Sequence, residues 1–259
     1  GFIKDANRST ISKTRIVAGG RTTVSQQIVR VDKESKEPMG KAQEQQLEEY
    51  LKQVLPQVKG VVLSDYGSGT ITDKLLGQIF AYCQEHNIPT IVDSRYDILR
   101  FKTVDYIKQN DAELSAAIGR DLATEEELVQ GGCELLVKMS AKGALITRGE
   151  DGMSLFQIIS PQEAADYLKS QEVSGSGEAG QFREGLTVKL VVKRQTGRLS
   201  VVQELISYQD RDILVSHIPV TDKSEVYDVS GAGDTCVATV ILGLAAGLEP
   251  LLACQLSNE

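Results

Sequence analysis

Apolar and polar positions alternate over 14–18 and again over 27–31, with Gly19 and Gly20 at the turn, and this period of two predicts a β-hairpin. The period then lengthens. Leu47, Tyr50, Leu51, Val54, Leu55 and Val58 recur at helical spacing, so 40–58 is expected to form a helix with one buried face, closed by Gly60. Val61-Val62-Leu63 is a short unbroken apolar run, the pattern of a strand buried on both faces of a parallel sheet. A helix over 73–86, a strand over 90–93, a strand over 104–107, a helix over 124–140 and a strand over 144–147 follow. Strand and helix thus alternate as in βαβ units, which predicts an α/β domain. The turn at 149–152 is expected to return the chain to 153–156 as an antiparallel edge hairpin. Between 160 and 216 the pattern lapses into a Gly/Ser stretch, 173–180. Two β-like runs then flank Gln195-Thr196-Gly197-Arg198, predicting an inserted hairpin behind a flexible linker. A long apolar helix starts near Gly233.

Composition narrows the class. A chain of 259 residues can hold one sizeable domain around a single core, and 41% hydrophobic with 25% charged residues is ordinary for a globular protein. A net charge of −8 argues against a surface built to neutralise nucleic acid. The longest apolar stretch, 236–248, is shorter than the roughly 18 residues a membrane span needs, so no membrane partner is expected. Cys83, Cys133, Cys236 and Cys254 lie far apart with no C-x-x-C pair, which predicts reduced thiols. A polar, mixed-charge start without a secretory pattern adds the expectation of a cytoplasmic enzyme.

The chemistry concentrates in Asp228-Val229-Ser230-Gly231-Ala232-Gly233-Asp234-Thr235, a small-residue turn opening directly into the apolar helix. The first amides of a helix lack intrahelical acceptors and sit at the positive end of its dipole, so this turn suits a phosphate. Asp234 would stand beside that anion, able to take the proton of an alcohol attacking a γ-phosphoryl group. The same residues also read as a plain helix start and bend. Asn110-Asp111-Ala112-Glu113 ends a strand and opens a helix. A carboxylate there can hold Mg²⁺ through water, and the four residues can equally be a helix cap. Asp65, Tyr66 and Gly67 lie at the carboxyl end of a parallel strand, the edge where open α/β sheets bind ligands.

Together these residues resemble the ribokinase-like, or PfkB, carbohydrate kinases, whose signature is a D-T-x-G-A-G-D turn. Within that family, Val61-Val62-Leu63-Ser64-Asp65-Tyr66-Gly67 and Lys223-Ser224-Glu225-Val226-Tyr227-Asp228 are most similar to the kinase domain of bacterial ADP-heptose synthase. The resemblance covers nearly all of the chain outside 160–216. It implies a single kinase domain over 1–259 with a three-layer αβα fold, a mostly parallel central sheet and a small β lid at about 12–32. It also implies ATP and Mg²⁺ as cofactors and a sugar or sugar phosphate, heptose-phosphate-like, as acceptor. Gly231, Ala232 and Gly233 would then form the anion hole and Asp234 the catalytic base. Asn110 and Glu113 would manage phosphate and Mg²⁺, with Glu113 toward the metal. Thr147, Arg148 and Gly149, with Gly152 after them, are similar to the nucleotide-side loop, and Asn258 falls where the family often has an adenine-facing asparagine. Asp65, Tyr66, Gly67 and the lid's Arg15 would receive the sugar, and a homodimer through the lid is the expected assembly.

Two departures qualify this picture. The heptose kinases usually read S-D-Y-G-K-G where this chain has Ser68 in place of the lysine. A lost ammonium puts recognition of a phosphorylated sugar in question, with Arg95 either a replacement or an exposed loop charge. A kinase of another small alcohol, such as a ketohexose phosphate or a nucleoside, and a non-catalytic sugar- or nucleotide-binding regulator therefore stay open. The family's first strand with its Gly-Gly segment, and its final strand and helix, have no counterpart here, so the chain is expected to be truncated at both ends.

Overall fold

The computed structural model describes residues 2–6, 8–19, 26–35, 37–174, 177–179, 182–183, 185–196, 199–220 and 231–258. The hairpin lies where alternation predicts it. Strands β1 (Ser12–Ala18) and β2 (Gln26–Lys33) pair antiparallel as a separate two-stranded sheet, with a bulge between Ile16 and Val17. The rest of the predicted turn, from Gly20, falls outside the described residues.

Helix α1 (Lys41–Val54) runs into a 3₁₀ turn at Leu55–Gln57, and β3 (Val61–Asp65), α2 (Asp73–Glu85) and β4 (Thr90–Ser94) follow. Thr72 starts α2 by accepting a hydrogen bond from the Leu75 amide at 3.4 Å. Then come β5 (Tyr106–Asn110), α3 (Asp111–Ile118), α4 (Glu125–Met139) and β6 (Gly143–Thr147). Thr124 and Glu127 close α4 with a reciprocal capping box. Strands β3, β4, β5 and β6 are parallel neighbours in that order, as the βαβ alternation requires. β5 starts later than the apolar run at 104–107 suggests and also ends later, because Lys108 and Gln109 are buried polar residues that carry the strand past the end of the apolar pattern.

The second half corrects the sequence reading. β7 (Met153–Ile159) is antiparallel to β6, but it is not an edge, because β12 (Arg211–Ile218) pairs along its other side. The segment between them holds α5 (Pro161–Ser174), β8 (Gly177–Ala179), β9 (Phe182–Arg183), β10 (Leu186–Thr196) and β11 (Leu199–Tyr208). β10 and β11 form the expected hairpin, yet β11 pairs with β12, so the hairpin extends the central sheet. The ten-stranded sheet is therefore mixed: parallel from β3 to β6 and antiparallel from β6 onward. Most of the expected linker is also replaced, by the end of α5 and by β8. Helices α6 (Ala232–Ala245) and α7 (Pro250–Ser257) complete the described chain.

Two apolar layers sandwich the sheet. Leu55, Leu76, Ile79, Leu135 and Leu136 from the α1–α4 side pack on Ile107, Phe156 and Ile206. Cys236, Val237, Val240 and Ile241 of α6 and Cys254 of α7 pack on Ile91, Leu145 and Leu155 from the other. This is a three-layer αβα arrangement. All four cysteines are buried and unpaired, and no described helix is long and apolar enough to cross a membrane.

Candidate active site

The start of α6 is built to receive an anion. Gly231 caps it in the left-handed region at φ 83°, without a side-chain capping bond. The first intrahelical bond runs from the Thr235 amide to the Gly231 carbonyl at 2.9 Å, so the amides of Ala232, Gly233 and Asp234 have no acceptor within the helix. A Cβ on Gly231 would meet nothing within 4 Å, which leaves the approach to these amides open on that side. Residues 228–230 of the turn fall outside the described residues.

Beneath this helix start lies a charge that the sequence patterns do not single out. A Cβ on Gly233 would come 3.0 Å from Lys108 Nζ. The Lys108 side chain is only 7% exposed and pairs with Asp93 Oδ2 at 3.1 Å. A buried cation beside the positive end of a helix dipole is unfavourable until an anion joins it. Burial pushes the Asp93 carboxyl above its usual range, Lys108 pulls it back, and the nearby Glu113 and Asp234 carboxylates add to the rise. Asp93, Lys108, Glu113 and Asp234 are thus close enough to act on one electrostatic field. The signal available in the sequence was a lysine inside an otherwise buried parallel strand, two positions before Asn110.

Asp234 is exposed and turned toward the loop that follows β3, where Tyr66 Oη donates to Asp234 Oδ1 at 3.4 Å. Asp65 is buried and braces that loop: its Oδ1 accepts from the Gly67 amide at 3.0 Å and its Oδ2 from Ser94 Oγ at 3.1 Å. Gly67 takes φ 68°, and a Cβ there would press on the Tyr96 ring. Ser68 Oγ is engaged with Thr70 Oγ1 at 3.0 Å, and the Ser68 carbonyl accepts from the Arg8 guanidinium. Arg95 lends its amide to the Asp65 carbonyl at 3.2 Å while its side chain is exposed. Arg15 is exposed on β1, directly across from Arg30.

Along the same sheet edge, Asn110 and Glu113 form a capping box: Asn110 Oδ1 accepts from the Glu113 amide at 2.7 Å and Glu113 Oε2 from the Asn110 amide at 2.9 Å. Thr147 is the register partner of Asn110 and donates to the Gln109 carbonyl at 3.4 Å. Arg148 makes a two-pronged ion pair with Glu125 at the start of α4. Gly149 and Gly152 both take positive φ; a Cβ on Gly149 would meet nothing, whereas one on Gly152 would overlap the Ile218 carbonyl. The Asn258 amide donates to the Pro219 carbonyl at 2.5 Å. Arg148, Gly149, Gly152 and Asn258 lie further along the edge, toward β7 and α7.

A cavity of about 480 Å³ opens elsewhere, at the amino ends of β4 and β5. Its charged groups satisfy one another, since Asp105 takes Lys142 Nζ at 2.8 Å and the Thr90 amide and hydroxyl at 2.9 Å. The helix start is the better candidate because its first amides have no acceptor within the helix and the buried Lys108–Asp93 pair lies beside them.

Comparison with known proteins bears on the family and the fold. The model of the pfkB family of carbohydrate kinases matches residues 5–173, well over half of the chain. The chain belongs to the pfkB family. Among curated proteins it is 30% identical over 259 residues to the bifunctional protein HldE of Geobacter metallireducens and 29% identical over 259 residues to that of Syntrophotalea carbinolica. Both alignments take in all of this chain, the turn at 231–234 included, but only 41% of those relatives' length. Solved structures share the fold. An Arabidopsis thaliana ribokinase complexed with ribose and ATP superposes with a TM-score of 0.52 at 16% identity, over 94% of this chain and 60% of that one. The Escherichia coli phosphofructokinase-2 complex with fructose-6-phosphate gives 0.51 at 20% identity, over 89% and 58%.

The donor set suits Mg²⁺ bound through water. Among the described residues no three His, Cys, Asp or Glu side chains gather tightly enough to cage a metal. Mg²⁺, however, keeps several waters and takes one or two carboxylates, and Glu113 offers an oxygen that the capping box leaves unused.

Proposed function

We propose that this pfkB-family chain is a single kinase domain that moves the γ-phosphoryl group of ATP to a hydroxyl of a sugar or sugar phosphate, heptose-phosphate-like in kind. The observation that carries the reading is the meeting of three helix amides without an intrahelical acceptor, the buried Lys108 ammonium and the Asp234 carboxylate at one end of α6. In the reaction the acceptor oxygen forms a bond to the γ-phosphorus, the bond from that phosphorus to the β–γ bridging oxygen breaks, and ADP leaves. Asp234 takes the acceptor proton, and the amides of 232–234 with Lys108 offset charge on the phosphoryl oxygens. Asn110 and Glu113 would hold Mg²⁺, which would neutralise charge on the phosphates when bound. Thr147, Arg148, Gly149, Gly152 and Asn258 would border the nucleotide, with Asp65, Tyr66, Gly67 and Arg15 around the sugar. β1 and β2 act as the lid, and a second copy of the chain covers the lid's outer face.

Asp234→Asn tests the assignment. We expect ATP binding by calorimetry to stay within a few-fold while kcat for ADP release falls by roughly 10²–10⁴, the usual contribution of a general base. Unchanged turnover in that variant removes the reading.

A further inference from the structure

We propose that Tyr66 guards the base: its hydroxyl occupies Asp234 until a sugar hydroxyl replaces it, and so restrains hydrolysis of ATP by water. This rests on the kinase reading above and adds a positioning residue that sets how ATP turnover divides between sugar and solvent. Asp234 is exposed at the start of α6, beside amides that suit a phosphate. A carboxylate able to take a proton from an alcohol can take one from water, which is smaller and far more abundant. In that side reaction the water oxygen bonds to the γ-phosphorus and the bond from that phosphorus to the β–γ bridging oxygen breaks. ADP and inorganic phosphate leave, and the proton of the water goes to Asp234.

Among the described residues, Tyr66 is the only hydrogen-bond partner of the Asp234 carboxylate, its Oη donating to Oδ1 at 3.4 Å. Hydroxyl donors usually sit at about 2.7–2.8 Å, so this bond is loose and an arriving sugar hydroxyl can displace it at little cost. A phenolic oxygen both donates and accepts, which lets it bond the newcomer once displaced. The placement of the ring is a second observation. The acceptor loop of the kinase reading, which follows β3, is braced on both sides of Tyr66. Asp65 is buried and accepts from the Gly67 amide at 3.0 Å and from Ser94 Oγ at 3.1 Å, while Gly67 holds φ 68° against the Tyr96 ring. From β1, Lys13 Nζ lies 5.2 Å from the centroid of the Tyr66 ring, a cation–π contact on its face. Tyr66 is nevertheless 48% exposed, so core packing does not account for its position over the base.

The first test needs no sugar. Release of inorganic phosphate from Mg·ATP is followed for full-length wild type, Tyr66→Phe, Asp234→Asn and the double variant. Phosphate reports hydrolysis alone, since transfer to a sugar yields ADP without it. Tyr66→Phe keeps the ring and removes only the hydroxyl. We expect it to raise phosphate release about 3- to 10-fold, the weight of one loose hydrogen bond to a charged group, and the double variant to fall back to the level of Asp234→Asn. A merely structural tyrosine would not raise hydrolysis that depends on Asp234. With six- and seven-carbon sugars and their phosphates present, the ratio of phosphate to ADP should be higher in Tyr66→Phe than in wild type. Phosphate release in Tyr66→Phe at or below the wild-type rate, or a rise that persists in the double variant, overturns the proposal and leaves the kinase reading in place. No ADP from wild type with any of those acceptors removes the kinase reading and this inference with it.

Discussion

Lys108 shows how much a single side chain can decide. It stands beside the positive end of α6, and Asp93 offsets its charge inside the protein. Removing one partner of a buried pair costs about 3–5 kcal/mol, so Lys108→Met should lower the denaturant midpoint clearly. The pH dependence has a defined sign. Because burial holds the Asp93 carboxyl above its usual range, the folded state binds that proton more tightly than the unfolded chain does. The stability linked to this proton is full below the ordinary value of 3.8 and is lost as pH rises through the raised one. Without Lys108 the carboxyl climbs further, so Lys108→Met should lose stability over a wider and higher pH interval than wild type. Adding Asp93→Asn should abolish the extra slope. Urea unfolding across about pH 4 to 8 measures this, and parallel curves for wild type and Lys108→Met would count against the coupled site.

At the scale of elements, the glycines separate structural from ligand roles. Gly152→Ala places a Cβ onto the Ile218 carbonyl in a left-handed turn, so it should cost more than about 2 kcal/mol before any nucleotide is considered. Gly149→Ala meets no atom and should cost only about 1 kcal/mol for its positive φ. Gly77→Ala, exposed within α2 with free space around it, should stabilise by about 1 kcal/mol. Thermal melts that fail to rank the three in this order would contradict the packing described. The parallel strands β3–β6 and their helices were legible as short apolar runs between helices of clear period, although β3, expected to be buried on both faces, is the outer strand of the described sheet and leaves Val62 exposed. Which strand neighbours β7 was not legible, since β12 reaches it across more than fifty residues and no local pattern encodes that pairing. At the site, the turn at 231–234 announced itself through its small residues. Lys108 did not, because a charge inside a strand gains meaning only when α6 is seen above it.

At the scale of the whole molecule, the hairpin of β1 and β2, proposed above as a lid, is a two-sided ribbon. One side holds Lys13, Arg15 and Arg30 toward the acceptor loop; the other holds Ile16, Val29 and Val31, paired or adjacent in register and 51%, 44% and 55% exposed. An isolated two-stranded hairpin is marginally stable in water, and an exposed apolar face on such a ribbon is a liability unless something covers it. A second copy presenting the same face is the simplest cover, because a two-fold interface needs only one self-complementary patch. This arrangement would also tie the two jobs of the ribbon together, since holding its outer face would steady the cations on its inner one. Sedimentation of the full-length protein at micromolar concentration should then show a dimer, and Val29→Lys with Ile16→Lys should yield a monomer whose KM for the acceptor sugar rises along with the loss of assembly. A wild-type monomer with the same acceptor KM as the double variant would mean that the lid stands alone.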